Sequence, residues 1–157
     1  TVAPNARPEL LLDEVLQHTQ TNDYCHIPAI SIYYHTYKAL TETDSTPYFQ
    51  QLRQLVQAQQ HRFAEQEIRD IYVLAINYCI RQINAGQDQF LTTLFEIYKE
   101  GLANAVFITN GVMSRFTYKN IAMAGLGLRE YQWVEDFLFR YQDRIEKKYR
   151  ESTFNYN

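Results

Sequence analysis

Four histidines, two cysteines and one G-x-G are the groups in this 157-residue chain that could do chemistry, and their spacing decides what they can do. A zinc-binding helix needs two His four residues apart on one face, with a neighbouring Glu for hydrolysis. His18, His26, His35 and His61 contain no such pair. Cys25-His26, with His18 or His35 nearby, could hold a metal only with help from distant residues; a polar pair at a helix start is the simpler reading. Glu65 and Glu67 have one residue between them and face different ways on a helix, so they cannot share a proton. No G-x-S-x-G and no His-Asp dipeptide occurs. Ser31, Ser45, Ser114 and Ser152 fall at or near helix starts or turns, where a hydroxyl caps. The expectation is therefore no catalytic residue, no metal and no cofactor.

The G-x-G lies in "NIAMAGLGLREYQWVEDFL", residues 120–138. A phosphate loop places its glycines after a strand and before a helix, so that backbone N–H groups point at the anion. Here "YKNIAMA" precedes Gly125 with helical periodicity, and neither a third glycine nor a Lys-Ser/Thr follows. The alternative is two helices in close contact, with Ala122, Ala124, Gly125 and Gly127 where they touch. Each mid-helix glycine costs ~1 kcal/mol against Ala, and close packing offsets that.

Whatever these residues do, helices must position them. Five Gly and four Pro are few breakers for this length, which favours long helices over a many-turned β fold. Apolar stripes at helical spacing predict segments over 8–20, 28–42, 48–63, 64–86, 88–107, 114–130 and 131–151. Pro8 and Pro28 open two of them, Asp88 caps a third, and Gly86 reads as a C-cap. "TNG" (109–111) is a turn. "AVFIT" (105–109) is the one short β-like run and is too tightly bounded to count as a strand. The expected fold class is all-α, with about seven helices stacked as antiparallel α-α hairpins.

The segments pair, and the second of each pair opens on a large-large-polar-polar-large doublet. These are "YFQQL" (48–52), "FLTTL" (90–94) and "WVEDF" (133–137), starting 42 and then 43 residues apart. The first segments, anchored on Tyr34, Tyr72 and Tyr118, repeat less evenly, at 38 and 46 residues. Unequal loops between degenerate helical hairpins produce that combination. A hairpin cannot bury both faces alone, and stacking neighbours into a solenoid solves the problem.

Totals exclude several function classes. Hydrophobic residues are 46% and aromatics 15%, which argues against disorder. With 15 basic and 18 acidic residues the net charge is −3, so no basic footprint for nucleic acid is expected. "RYQDRIEKKYRE" (140–151) mixes signs at helical spacing and reads as a solvated face. No apolar run reaches the ~18–20 residues of a membrane helix, so no membrane insertion is expected. The chain opens "TVAPNARPE" without Met, as a mature product or an excised piece would, and this keeps localisation open; two unpaired-looking Cys make a reducing, cytoplasmic compartment the working expectation. Thirteen tyrosines suit inter-repeat packing, with a few left to line a groove.

Residues 117–141 resemble a tetratricopeptide repeat. Tyr118 stands at the family's first large position, Ile121-Ala122 at its Leu-Gly/Ala pair, Leu128 before the turn and Tyr131 after it. Val134, Leu138 and Tyr141 fall where the second helix carries Ala, aromatic and Ala. The chain departs where the family's first-helix Tyr is Gly125 and its turn Gly is Arg129, and the small second-helix positions hold larger residues. The two earlier pairs match by register only. The resemblance implies a right-handed solenoid whose first helices line a concave groove that binds protein or peptide. In that register His35 and Lys38, Asn77 and Arg81, and Lys119, Asn120 and Met123 face the groove, where cations and amides could grip a peptide carboxylate.

The expected function is a non-catalytic scaffold for a protein or peptide. One alternative is the sensor or dimerisation part of a larger regulatory protein; another is an all-helical enzyme with a site assembled across helices. Tyr156 follows Tyr118 by 38 residues, as Tyr72 follows Tyr34. "STFNYN" thus reads as the start of another repeat, and residues 1–157 as a single helical-repeat domain cut from a longer protein. Such a cut leaves Val134, Phe137, Leu138, Phe139 and Tyr141 as a terminal apolar face, through which the chain would self-associate.

Overall fold

The computed structural model describes residues 24–42 and 45–145, and over them the chain is predominantly α-helical. Six α-helices appear among the described residues: α1 (Pro28–Thr41), α2 (Thr46–Gln59), α3 (Glu65–Asn84), α4 (Phe90–Ala103), α5 (Arg115–Gly127) and α6 (Tyr131–Tyr141). The segment expected at 8–20 lies outside the described residues.

The chain divides into two compact units, residues 1–63 and 64–157. In the first, α1 packs on α2. Ile32, Tyr34 and Ala39 from α1 and Phe49, Leu52 and Val56 from α2 form its buried core. In the second, each helix packs on the next, from α3 through α6. Its core runs from Ile71, Tyr72, Tyr78 and Cys79 through Leu94, Ile97 and Tyr98 to Tyr118, Ile121, Val134 and Phe137. Successive packing of helices is compatible with a helical repeat.

Local chemistry sets the helix ends. Pro28 occupies the first turn of α1, where no N–H is missed. The Glu67 carboxylate accepts from the Ala64 N–H at 2.9 Å at the start of α3, and Ser114 Oγ accepts from the Thr117 N–H at 3.1 Å at the start of α5. The ends of α3, α4 and α5 share one device. After α3, the Gln87 N–H reaches the Gln82 carbonyl and the Gly86 N–H reaches that of Ile83. After α4, Val106 reaches Gly101 and Ala105 reaches Leu102; after α5, Glu130 reaches Gly125 and Arg129 reaches Leu126. This is the Schellman pattern, which needs a left-handed residue just past the helix. Gly86 (φ 85°), Ala105 (φ 54°) and Arg129 (φ 62°) supply it. Arg129 thus adopts the left-handed turn at the position where the resemblance has glycine.

Two sequence expectations are corrected. Residues 108–113 form a small antiparallel hairpin, β1 (Ile108–Thr109) with β2 (Val112–Met113). Asn110 (φ 53°) and Gly111 (φ 80°) both take positive φ, as a two-residue turn matching strand twist requires. The tight bounds of "AVFIT" argue against a strand, but Asn-Gly is the stronger signal. The last helix, expected to reach 151, ends at Tyr141; a 3-10 turn follows to Arg144, and Ile145 is extended. Ile145 pairs with Met113 in an isolated parallel bridge, and both are fully buried. That tertiary burial overrides the helical pattern.

The glycine stretch is a helix contact. Ala122 has no exposed surface, and a Cβ on Gly125 would stand 2.5 Å from Val134 Cγ2 and 3.1 Å from Phe95 Cε2. One on Gly127 would meet Leu91 Cδ2 at 3.1 Å. Small residues bring α5 close to both α4 and α6.

Candidate functional site

The groove between α4 and α6 is built by an aromatic row. Trp133, Phe137 and Tyr141 recur every four residues and so share one face of α6. Trp133 stacks on Phe137 with centroids 5.4 Å apart and planes within 4°, and Phe137 meets Tyr141 at 5.2 Å. From α4, Phe95 sets its edge against Trp133 at 4.7 Å, an arrangement that suits ring quadrupoles. From α5, Tyr118 lies 5.2 Å from Phe137 and donates its hydroxyl to the Leu138 carbonyl at 2.8 Å. Burial pushes that hydroxyl up to about 12, so it stays a donor at every physiological pH.

Above this floor lies an open groove of about 270 Å³, walled by Lys99, Leu102 and Ala103 of α4 and by Trp133, Asp136, Phe137, Arg140 and Tyr141 of α6. Phe137 is buried, whereas Trp133 and Tyr141 are half-buried and present part of their rings. Lys99 Nζ stands 4.9 Å over the Phe95 ring. Asp136 Oδ1 accepts from Gln132 Nε2 at 3.4 Å. The mix of aromatic surface and a few charged groups fits a recognition site. It contains no nucleophile paired with a base.

A second cavity, of about 360 Å³, is lined by Arg69, Val73, Val106, Phe107, Thr109, Val112, Ser114 and Thr117. Its polar groups are committed locally: Arg69 to Glu65 at 3.6 Å and to Gln66, and Ser114 to the cap of α5. In the α4–α6 groove Lys99 and Arg140 make no hydrogen bond or ion pair among the described residues, and this groove is the better candidate.

The seven residues expected to line a first-helix groove lie on α1, α3 and α5, and none of them lines either cavity. Lys38 is held by Glu42 at 2.6 Å, a hydrogen bond that raises its pKa. His35 clusters with the Tyr34 and Tyr48 rings, 5.2 and 6.1 Å away, and its buried Nδ1 has no hydrogen-bond partner among the described residues. Desolvation lowers its pKa. Asn77 and Arg81 are exposed one turn apart on α3, with the Arg81 guanidinium 5.4 Å from the Tyr78 ring. On α5, Lys119, Asn120 and Met123 share a face; Met123 is 62% exposed, and the Asn120 side chain bonds the buried Tyr98 hydroxyl. Burial, with Cys79 alongside, pushes Tyr98 up to about 12 against that bond.

The groove residues missed in the sequence are Lys99, Asp136 and Arg140. Their signal in the sequence is the four-residue spacing of Trp133, Phe137 and Tyr141, which sets an aromatic row on one helix face. Among the described residues, no cluster of three His, Cys, Asp or Glu could hold a metal ion, and no helix is long and apolar enough to cross a membrane. Comparison with known proteins finds no matching family model, no matching curated protein and no matching solved structure.

Proposed function

We propose that this chain is a non-catalytic scaffold that binds a segment of another protein in the groove between α4 and α6. The observation that supports the reading is the partly open aromatic floor of Trp133, Phe137 and Tyr141 with Lys99, Arg140 and Asp136 at its rim. Aromatic anchors surrounded by a polar rim are where interface energy concentrates. The pairs α1–α2, α3–α4 and α5–α6 are then degenerate repeats of a tetratricopeptide-like solenoid. The packing of α1 on α2, of α3 on α4 and of α5 on α6 is compatible with that reading. On this reading the ligand lies between α4 and α6, the second helices of the last two pairs.

Selection from a displayed library of random dodecamer peptides tests it. Ala103 is exposed on the groove wall, so Ala103→Trp fills the groove without entering the core. Peptides enriched on the wild-type chain should lose binding to the Ala103→Trp variant. Equal binding to both proteins would refute the groove as the site.

A further inference from the structure

The rim of the groove carries two cations and one carboxylate, and they are not equivalent. Arg140 lies one turn beyond Asp136 on α6, the spacing at which opposite charges pair. Instead Asp136 takes the Gln132 amide, and among the described residues Arg140 makes no hydrogen bond or ion pair. Lys99, across the groove on α4, stands over the Phe95 ring and, among the described residues, makes no hydrogen bond or ion pair, which leaves its ammonium donors open there. Among the described residues, the groove is therefore flanked on both walls by a cation with unused donors, above apolar and aromatic surface from Leu102, Trp133 and Phe137. Its volume of about 270 Å³ admits a large apolar side chain and little more.

Resting on the binding reading above, we infer that the groove takes an acidic, apolar peptide: one large aliphatic or aromatic side chain seated on Trp133, with Asp or Glu on either side of it. The carboxylates meet Lys99 and Arg140 in charge-assisted hydrogen bonds. Arg140 offers the planar fork that grips a carboxylate with two donors, and Lys99 offers a mobile point charge. Asp136 repels carboxylates at its own edge, so the charge partners are confined to the two cation positions, which sets the register of the peptide. A basic segment, including one from nucleic-acid-binding tails, is disfavoured by the same charges. The binding should weaken with added salt, because both pairs are at the exposed rim.

The test compares the peptides selected by the wild-type chain with those selected by a Lys99→Glu/Arg140→Glu double variant. Both side chains are exposed, so the fold is kept, and circular dichroism verifies this. Trp133 is the only tryptophan, so its emission reports groove occupancy directly during titration with each peptide. The inference predicts that wild-type selection enriches Asp/Glu-flanked apolar peptides that change Trp133 emission. It also predicts that the double variant binds them roughly tenfold more weakly and prefers Lys/Arg-flanked ones. Neutral or basic peptides that change Trp133 emission would overturn the acidic-peptide inference and leave the groove reading standing. Selected peptides that leave Trp133 emission unchanged would overturn both. Emission that changes with protein concentration alone would mean that a second copy fills the groove, and would also overturn the inference.

Discussion

The α5–α6 contact and the α1–α2 contact begin from similar sequence and are filled by different chemistry. Their second helices open on "WVEDF" and "YFQQL", and in both the second and fifth residues are buried while the first is half-buried. Between α5 and α6, the absent side chain of Gly125 lets Val134 approach, Ala122 is fully buried, and the buried Tyr118 hydroxyl is satisfied at 2.8 Å. Between α1 and α2, the ring of His35 stands with those of Tyr34 and Tyr48, and its Nδ1 is satisfied by nothing among the described residues. A shared binary pattern selects helix pairing, and the residues at the contact decide how the pair responds to stress. The first contact should be sensitive to volume and the second to protons.

The largest effect is expected at Phe137, which is 3% exposed and touches three other aromatic rings. Phe137→Ala should cost about 3–5 kcal/mol, read by urea denaturation, and remove the groove floor. A cost under about 1 kcal/mol would mean the aromatic row does not hold α6. Ala122→Leu comes next. With no free surface at Ala122, the larger side chain should overpack the contact at about 1–3 kcal/mol, and an unchanged midpoint would contradict close approach.

A smaller change of opposite sign sharpens the same comparison. Arg129 holds φ 62°, where a Cβ is strained and glycine is not. Arg129→Gly should raise stability by about 0.5–1 kcal/mol, less the added freedom of the unfolded chain. A loss of stability would show that the Arg129 side chain makes a contact worth more than the strain.

The proton effect belongs to α1–α2. His35 has a folded-state pKa below its ordinary 6.5, so the folded state binds fewer protons than the unfolded one. Its contribution is fully present above about pH 6.5 and is lost as pH falls from there toward the lowered folded value. His35→Phe should flatten the acid limb of stability against pH below 6.5. A limb as steep as that of the wild-type chain would assign the effect to another group.

Much of the architecture was legible because helical periodicity, Gly86 and the small residues of 120–128 are local signals. The hairpin at 108–113 was legible in principle from Asn110-Gly111 but was outweighed by its two-residue strands. The end of α6 was not legible: charges after Tyr141 continue the helical pattern, and only burial of Ile145 beside Met113 stops it. For the candidate site, the four-residue spacing of Trp133, Phe137 and Tyr141 is a local signal, yet the tetratricopeptide register points to first helices. Which face of a helix lies open depends on how neighbours pack, and a stripe of residues does not encode that.

The most direct test of the groove reading is nuclear magnetic resonance of the chain titrated with a selected peptide. Trp133 supplies a single indole N–H signal at the groove, while the Met123 methyl and the Asn120 side-chain amide report the exposed face of α5. With a ligand in the groove, the Trp133 indole signal should shift with peptide concentration while those of Met123 and Asn120 stay in place. Movement of Met123 and Asn120 with a stationary Trp133 indole would contradict it and return the site to the first helices.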